Sequence, residues 1–306
     1  MADGRFAPSP TGDLHLGNLR TALLAWLFAR AAGSRFLIRM EDLDTATVRA
    51  EMYDRQLDDL AALGLDWDGE VVRQSDRLDR YRDAIAQLDA AGRTYACYCT
   101  RREILEAASA PNGPAPDGAY PGTCRHLTAA QRAEREAAGR PPALRLRGDG
   151  DPVSFVDRQL GPYTGTVDDV VIRRNDGTPA YNLAVVVDDV EQGIGEVVRG
   201  DDLLSSTPRQ LYVARALGWS PPAYAHVPLV LAPDGARLAK RHGSVTLSDR
   251  TERGQEPAAV AGELLASLGL VETGRPVTAA DLHRLVGRFE PATLPTAPWI
   301  VGPDQL

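Results

Sequence analysis

Two short segments of the chain carry residue types that suit the phosphates of a nucleotide. The first, Pro8–Asn18, connects a predicted strand to a predicted helix. Backbone N–H groups and the dipole at a helix start attract phosphate, and glycine lets a ligand approach the backbone closely. A lone His-x-Gly favours an ordinary tight turn, so this interpretation depends on the second segment. The candidate ATP-binding residues here are Pro8, Thr11, Gly12, His15, Gly17 and Asn18.

The second segment is a basic loop, Arg237–Gly243, which follows a predicted strand and the turn at Asp234-Gly235. Four cationic or potentially cationic side chains on one flexible loop can clamp a triphosphate and stabilise the departing pyrophosphate. A short run of charge is by itself more typical of a solvated surface loop. Arg237 and Lys240 are the candidate ATP-binding residues of this loop, and His15 of the first segment can stabilise charge as the α-phosphate is attacked.

All three cysteines of the chain, Cys97, Cys99 and Cys124, fall within 28 residues and bracket a Pro/Gly-rich stretch. A tetrahedral metal ion would hold this stretch, which has little core of its own. The alternative is three buried or free thiols. Chemistry alone favours His126 as a fourth ligand, because imidazole is a far commoner zinc ligand than the phenol of the nearby Tyr120.

The nucleotide segments require an α/β fold to position them. Gly4–Ala7 is a predicted strand, and Phe36–Met40 is a short apolar run typical of a buried parallel strand. Between them, leucines recur at helical spacing, at Leu16, Leu19, Leu23 and Leu27. Strand, turn, helix and strand in this order form one half of a doubly wound nucleotide-binding fold.

Further helices are predicted at Val48–Leu63 and Leu78–Ala91, and further core strands at Leu183–Val187 and Val227–Leu231. We predict an α/β, Rossmann-like doubly wound parallel sheet with an α+β insertion and a short helical C-terminal region. The expected boundaries are 1–96 and 191–248 for the Rossmann-like catalytic domain, 97–190 for the insertion and 249–306 for the C-terminal region.

Composition limits the class of protein. The chain has 306 residues and a formal net charge of −8, so a nucleic-acid partner would require basic residues gathered on one face. An odd, small number of cysteines fits a reducing cytoplasm. The start has no basic region followed by an apolar run, and no segment approaches 18 continuous apolar residues. We expect a cytoplasmic monomer with no membrane partner.

Together the two nucleotide segments resemble the HIGH and KMSKS signatures of class I aminoacyl-tRNA synthetases. The resemblance narrows to glutamyl-tRNA synthetase because five motifs occur in its order, over about residues 4–245. They are Arg5–Gly12, Arg39–Asp44, Tyr181–Asp189, Arg199–Asp202 and Ala239–Gly243. The HIGH position ends in Asn18 instead of His. The KMSKS position begins with Arg237 and changes both serines, but keeps its second lysine as Lys240. The resemblance implies that Lys240 binds the ATP phosphates and forms the catalytic pair with His15.

The resemblance implies a site for L-glutamate. A guanidinium fork binds a carboxylate bidentately, so Arg5 and Arg199 would face the side-chain carboxylate, with Tyr181 donating its hydroxyl. Glu41 would hold the α-ammonium group with help from Ser9, and Ala7 belongs to the same site. Mg²⁺ would bind mainly through the ATP phosphates and water, because the sequence shows no dedicated cage for it.

The Cys-x-Cys, Tyr, Cys pattern and the short region after the basic loop are similar to the glutamyl-Q tRNA(Asp) synthetase family, in which a tyrosine completes a zinc site. This implies one structural Zn²⁺ held by Cys97, Cys99, Tyr120 and Cys124. It also implies activation of glutamate by ATP without tRNA, then transfer to queuosine in the anticodon of tRNA(Asp). About 60 residues follow the basic loop, so we expect no anticodon-binding domain.

Two other functions remain open. The chain could be a minimal glutamyl-tRNA synthetase that charges the 3′ acceptor end of a tRNA. It could also be a catalytically inactive paralogue that acts as an RNA-binding module. The joint presence of the proposed glutamate and ATP residues argues against the inactive paralogue: Arg5, Glu41, Tyr181, Arg199 and Lys240.

Overall fold

The computed structural model describes residues 3–100, 102–104, 120–238, 243 and 245–302. The first half of the chain forms the following elements: β1 (Gly4–Phe6), α1 (Leu16–Ala31), β2 (Phe36–Met40), α2 (Glu51–Ala62), β3 (Val72–Arg73) and α3 (Leu78–Ala90). β2 lies between β1 and β3 and is parallel to both. The helix and strand predictions for this half are confirmed, with boundaries that shift by up to three residues.

α1 is buried on most of its surface because it packs between the parallel strands and the C-terminal helices. Its leucines and Trp26 form the centre of the larger hydrophobic cluster. The helix ends in a turn at Gly33, whose φ of 65° lies in the left-handed region that glycine adopts without strain. This rigid helix carries the nucleotide segment at its N-terminus.

An α+β insertion follows, and it contains β4 (Thr94–Cys97), α4 (Ala129–Ala137), β5 (Ala143–Leu146), β6 (Pro152–Asp157), β7 (Gly161–Thr166) and β8 (Val170–Arg173). β4, β5 and β8 form an antiparallel sheet in that order, and β6 and β7 form a hairpin. One hydrophobic cluster joins residues on both sides of the predicted domain limits, such as Leu37, Leu146 and Val197. The exact limits remain a prediction.

The second half of the parallel sheet comes from α5 (Tyr181–Glu191), β9 (Glu196–Gly200), α6 (Thr207–Leu217) and β10 (Ala223–Val227). β9 and β10 are parallel, and Asp3 pairs with Ile194 to place β9 beside β1. The strands therefore lie in the order β3, β2, β1, β9, β10. The order reverses between β1 and β9, and doubly wound folds bind ligands outside the strand ends at such a point.

The strand prediction at Leu183–Val187 is wrong, because these residues lie in α5. The helix is enclosed by α3, α6 and β8, so its apolar residues show no one-sided period. A short apolar run rich in valine cannot be assigned to strand or helix by periodicity alone. The prediction at Val227–Leu231 holds in part, since β10 ends at Val227 and β11 (Val230–Leu231) begins beyond Pro228.

The C-terminal region is helical, as predicted, with α7 (Leu247–Glu252), α8 (Pro257–Ala266) and α9 (Ala279–Val286). A capping box begins α9, since the Thr278 side chain accepts from the Asp281 N–H and the Asp281 carboxylate accepts from the Thr278 N–H. β12 (Trp299–Ile300) returns to pair with β11. In the part of the chain that the structure describes, no helix has both the length and the apolar composition needed to span a bilayer.

Candidate functional site

The turn between β1 and α1 lies at the point where the strand order reverses. The side chain of the buried Gln56, on α2, donates to the carbonyl oxygens of Ser9 (3.0 Å) and Gly12 (2.7 Å). The Glu41 N–H donates to the Pro8 carbonyl at 2.8 Å, which ties the turn to the end of β2. A cavity of about 410 Å³ opens here, lined by residues that include Ala7, Pro8, Ser9, Thr11, Gly12, His15 and Asn18.

His15 is the N-cap of α1. Its Nδ1 accepts from the N–H groups of Gly17 (3.0 Å) and Asn18 (3.3 Å), and Asn18 Oδ1 accepts from the His15 N–H. Burial lowers the pKa of His15, against the pull of Asp202. A neutral imidazole that accepts at Nδ1 carries its proton at Nε2, so His15 keeps one N–H donor free of the capping contacts.

Gly17 is required by the His15 ring. A Cβ at position 17 would lie 2.8 Å from His15 Cε1 and 3.0 Å from His15 Nδ1, closer than non-bonded carbon atoms approach. The absence of a side chain at Gly17 therefore leaves room for the His15 ring to cap α1. The sequence motif alone does not reveal this role of Gly17. Of the six predicted ATP residues in this segment, Gly17 is the one absent from the lining of the cavity.

The basic loop begins and ends beside this turn. The Leu16 N–H donates to the Val245 carbonyl at 2.8 Å, and His15 and Thr246 form a β-bridge. Arg237 pairs with Asp202 at 2.9 Å, with 72% of its side chain exposed. Lys240 lies outside the described residues. Backbone contacts thus join residues of the first nucleotide segment to the residues that directly follow the basic loop.

Arg5 and Arg199 lie on the adjacent strands β1 and β9, and both are buried. Arg5 donates to both carboxylate oxygens of Asp189 on α5, at 3.2 and 3.4 Å. Asp189 also pairs with the fully buried Arg39 at 2.8 Å. Despite burial, these two arginines hold the pKa of Asp189 below its usual range. Arg39 also pairs with Asp188 and Glu41, so the two buried arginines are shared among three carboxylates.

Arg199 differs from Arg5 in having neutral partners. Its Nε donates to His226 Nε2 at 3.1 Å, and its Nη2 donates to the Thr207 hydroxyl at 2.8 Å. Its Nη1 is buried and has no hydrogen-bond partner among the described residues. A buried donor without a partner is costly, and a ligand carboxylate would satisfy it.

Glu41 and Tyr181 act electrostatically on these arginines. Burial raises the pKa of Glu41, although Arg39 and Arg5 oppose that shift. Tyr181 begins α5 with 41% of its surface exposed. Its hydroxyl has a raised pKa, from loss of solvent first and from Glu41 next, while Arg199 and Arg5 lower it. Two cations, one acid and one phenol thus lie close enough to act on one another electrostatically.

The structure thus places Arg5, Glu41, Tyr181 and Arg199 in one site, and Ala7 and Ser9 in the adjoining turn. Sequence reasoning missed the residues that hold them. These are Arg39, Gln56, Asp157, Asp189, Thr207 and His226. Arg39 and Asp189 lie within the motifs Arg39–Asp44 and Tyr181–Asp189. A charged residue next to an apolar run was the signal in the sequence that could have identified them. A larger cavity of about 580 Å³, between α3 and β8, includes none of the predicted site residues in its described lining.

The three cysteine sulfurs lie within 4.8 Å of one another. The Tyr120 hydroxyl is 3.4 Å from Cys97 Sγ and 3.7 Å from Cys99 Sγ, and Cys99 and Cys124 are 3.5 Å apart. Zinc bond lengths predict tetrahedral edges of about 3.8 Å between sulfurs and about 3.6 Å between sulfur and oxygen. His126 is exposed and lies outside this described group. The three sulfurs and the Tyr120 hydroxyl therefore have the spacing that a tetrahedral ion requires of its donors.

Comparison with known proteins assigns the chain to a family. The family model described as tRNA synthetases class I (E and Q), catalytic domain, matches residues 2–277. A glutamyl-Q tRNA(Asp) synthetase from Nocardia farcinica (strain IFM 10152) is 62% identical over 303 residues, which cover 99% of this chain and 94% of that protein. One from Symbiobacterium thermophilum is 49% identical and covers 97% of this chain and 95% of its own length.

A solved structure agrees. The crystal structure of a glutamate tRNA ligase from Elizabethkingia meningosepticum CCUG26117, in complex with its amino acid, superposes with a TM-score of 0.81 at 26% identity. The alignment covers 99% of this chain and 68% of that ligase. The predicted fold class, with a Rossmann-like parallel sheet, is confirmed.

Proposed function

Because this chain belongs to the glutamyl-Q tRNA(Asp) synthetase family of class I tRNA synthetases, we propose that it activates L-glutamate with ATP and transfers the glutamyl group to queuosine in tRNA(Asp). Membership makes it an enzyme of the ligase type. Activation would proceed without tRNA. The observation that carries the amino-acid assignment is the buried Nη1 of Arg199, which has no partner among the described residues and lies in a site shared with Arg5.

At the amino-acid end, Arg199 and Arg5 bind the side-chain carboxylate of glutamate, and the Tyr181 hydroxyl donates to it. A carboxylate ligand matches a guanidinium fork in shape and charge. Glu41 binds the α-ammonium group with Ser9, and Ala7 contributes to the same wall. The ligand cation favours the charged form of Glu41, whose pKa burial raises in the free protein. Glutamate thus pairs with the positive charges of the two arginines and with the negative charge of Glu41.

At the nucleotide end, the turn residues Pro8, Thr11, Gly12, Gly17 and Asn18 bind ATP. His15 donates from Nε2 to a phosphate oxygen. The α-carboxylate oxygen of glutamate attacks the α-phosphorus, the bond to the β-phosphate oxygen breaks, and pyrophosphate leaves. Arg237 and Lys240 stabilise the negative charge on that leaving group. Mg²⁺ accompanies ATP and binds through its phosphates and water.

The cysteine cluster binds one structural Zn²⁺ through Cys97, Cys99, Tyr120 and Cys124. Its role is to hold the insertion together, because the local core contains five buried residues and the metal supplies the missing folding free energy. Metal analysis of protein purified without chelator should return about one zinc per chain. Cys99→Ser should reduce this content, and His126→Ala should leave it unchanged. Loss with His126→Ala alone would transfer the fourth position to His126.

The acceptor is queuosine on the strength of the relatives' names, and the alternative is the 3′ adenosine charged by a minimal glutamyl-tRNA synthetase. Labelled glutamate should be offered with ATP to tRNA from cells with and without queuosine, and the labelled tRNA digested. Label on an anticodon fragment, only when queuosine is present, supports the proposal. Label on the 3′ adenosine in both samples identifies the minimal synthetase. Absence of glutamate-dependent pyrophosphate exchange identifies an inactive paralogue.

A further inference from the structure

We infer that His226, oriented by Asp157, is a positioning residue that holds the Arg199 guanidinium so that Nη1 faces the side-chain carboxylate of the amino acid. The inference rests on the proposed role of Arg199 in binding glutamate. It assigns a specificity role to two residues outside every motif that the sequence displays. Both side chains are fully buried, so neither touches the ligand itself.

The contacts form a chain from the insertion to the ligand site. Asp157, the last residue of β6, has Oδ2 at 2.6 Å from His226 Nδ1 and accepts from the His226 backbone N–H at 3.1 Å. His226 lies on β10, and its Nε2 receives the Arg199 Nε–H at 3.1 Å. Thr207, at the start of α6, lies 3.2 Å from the same Nε2 and accepts from Arg199 Nη2.

The partners allow one protonation state of the histidine. Arginine nitrogens can only donate, and an ionised carboxylate can only accept. His226 must therefore accept at Nε2 and donate from Nδ1, which is the neutral Nδ1–H tautomer. Protonation at Nε2 would point an N–H at the Nε–H of Arg199 and remove the hydrogen bond. The orientation of Arg199 thus depends on which nitrogen of His226 carries the proton.

The surroundings favour the neutral form. The charged and polar groups that face His226 are Asp157 on β6, Arg199 on β9, Asp201 after β9 and Thr207 on α6. Tyr224 stacks on its ring at 6.0 Å, and the Phe155 ring is 6.4 Å away. Burial lowers the pKa of His226 below 6.5, more than Asp157 raises it, and Arg199 adds to the lowering. The protein keeps the imidazole neutral at pH 7, and glutamate affinity should fall only in acid.

Two substitutions of His226 separate positioning from packing. His226→Gln can place an amide oxygen near the former Nε2 and keep an acceptor for Arg199. His226→Asn is shorter, so it can donate to Asp157 but does not reach Arg199. In glutamate-dependent ATP–pyrophosphate exchange with the full chain, His226→Asn should raise KM for glutamate about 10- to 100-fold. KM for ATP should stay within about twofold, and His226→Gln should stay within about fivefold of the unsubstituted protein for both substrates.

Equal effects of the two substitutions on KM for glutamate, or a larger effect of Gln, would overturn the inference. So would a loss confined to kcat. Nitrogen-15 NMR of the histidine-labelled, unsubstituted protein tests the tautomer independently of the His226 variants, because substitution of the other four histidines assigns the His226 resonances. We expect a pyrrole-type Nδ1 and a pyridine-type Nε2 at pH 7. The opposite tautomer or an imidazolium would reject the inference. If the proposed function itself is wrong, the unsubstituted protein will show no glutamate-dependent exchange. That result distinguishes failure of the function from failure of the His226 inference.

Discussion

The amino-acid end of the site and its nucleotide end are built differently. At the amino-acid end, Arg5, Arg39 and Arg199 are buried and held by side chains from distant parts of the chain. At the nucleotide end, Thr11 is exposed and Arg237 is 72% exposed, and the donors are backbone groups and one capping histidine. A buried, pre-oriented site is suited to select one side chain. An open turn is suited to bind phosphates that every ATP carries.

The comparison predicts that substitutions at the amino-acid end have the largest effects. Arg199→Ala should reduce kcat/KM for glutamate by at least about 1,000-fold, or about 4 kcal/mol, because a desolvated charge pair with the ligand is lost. Arg199→Lys should recover little, since an ammonium cannot reproduce the guanidinium fork. The measurement is glutamate-dependent exchange, with circular dichroism to show that both variants fold. Near-normal kcat/KM in the lysine variant would mean that the pocket requires a positive charge at position 199 but not the shape of a guanidinium group.

The second prediction concerns the basic loop. Lys240→Ala should lower kcat about 100-fold and leave KM for glutamate nearly unchanged, because the proposed contact to the leaving pyrophosphate matters chiefly in the transition state. Steady-state kinetics with varied glutamate at saturating ATP separates the two constants. Arg241→Ala, which removes a neighbouring charge of the same loop, is the control. An unchanged kcat in the Lys240 variant would remove it from the catalytic pair.

The third prediction tests the capping geometry of the nucleotide end. Gly17→Ala should reduce kcat/KM for ATP about 10-fold, because the new Cβ would lie 2.8 Å from His15 Cε1 and displace the ring. Helix propensity favours alanine by up to about 1 kcal/mol, so the thermal midpoint should not fall much. In a His15→Ala background, the substitution should have little further effect. Additive losses would show that Gly17 acts independently of His15.

The smallest effect is expected from an acid close to the nucleotide turn. Burial first, and Asp13 next, raise the pKa of Asp59 to about 6 from an ordinary 3.8. The folded protein therefore holds a proton that the unfolded chain has lost between about pH 4 and pH 6, so stability falls as pH rises through this range. Asp59→Asn should add about 1 kcal/mol to the free energy of unfolding at pH 7, after allowance for solvent screening, and nothing near pH 4.

Denaturant unfolding at pH 4 and pH 7 measures the free energy of unfolding of the Asp59→Asn variant. The control is Asp58→Asn, at the exposed neighbouring position of α2. A gain of equal size at both pH values would reject titration of Asp59 as the cause. Such a result would also weaken the contrast between the amino-acid end and the nucleotide end of the site. Near the nucleotide end, the half-buried Asp59 keeps a raised pKa although Arg55 opposes the shift, whereas Asp188 and Asp189 are directly paired with arginines.

Short-range sequence patterns were sufficient to predict many of the helices and strands. The leucine spacing of α1 and the apolar run of β2 depend on neighbours within a few residues, and both predictions are confirmed. The run Leu183–Val187 failed because its environment, and not its own periodicity, decides its conformation. A helix enclosed on several sides looks like a buried strand in sequence.

The sequence could propose the candidate site residues because the motifs occur in the order of a known family. Arg5, Glu41, Tyr181, Arg199 and His15 were selected by motif order and by the resemblance that it carries, and their binding of glutamate and ATP stays a prediction. The structure decided how they are held. Asp189 lies 184 positions from Arg5, and His226 lies 27 from Arg199. Such pairs depend on which strands and helices become neighbours, so the contacts of His226, and the Nη1 of Arg199 that has no partner among the described residues, are properties of the tertiary structure alone.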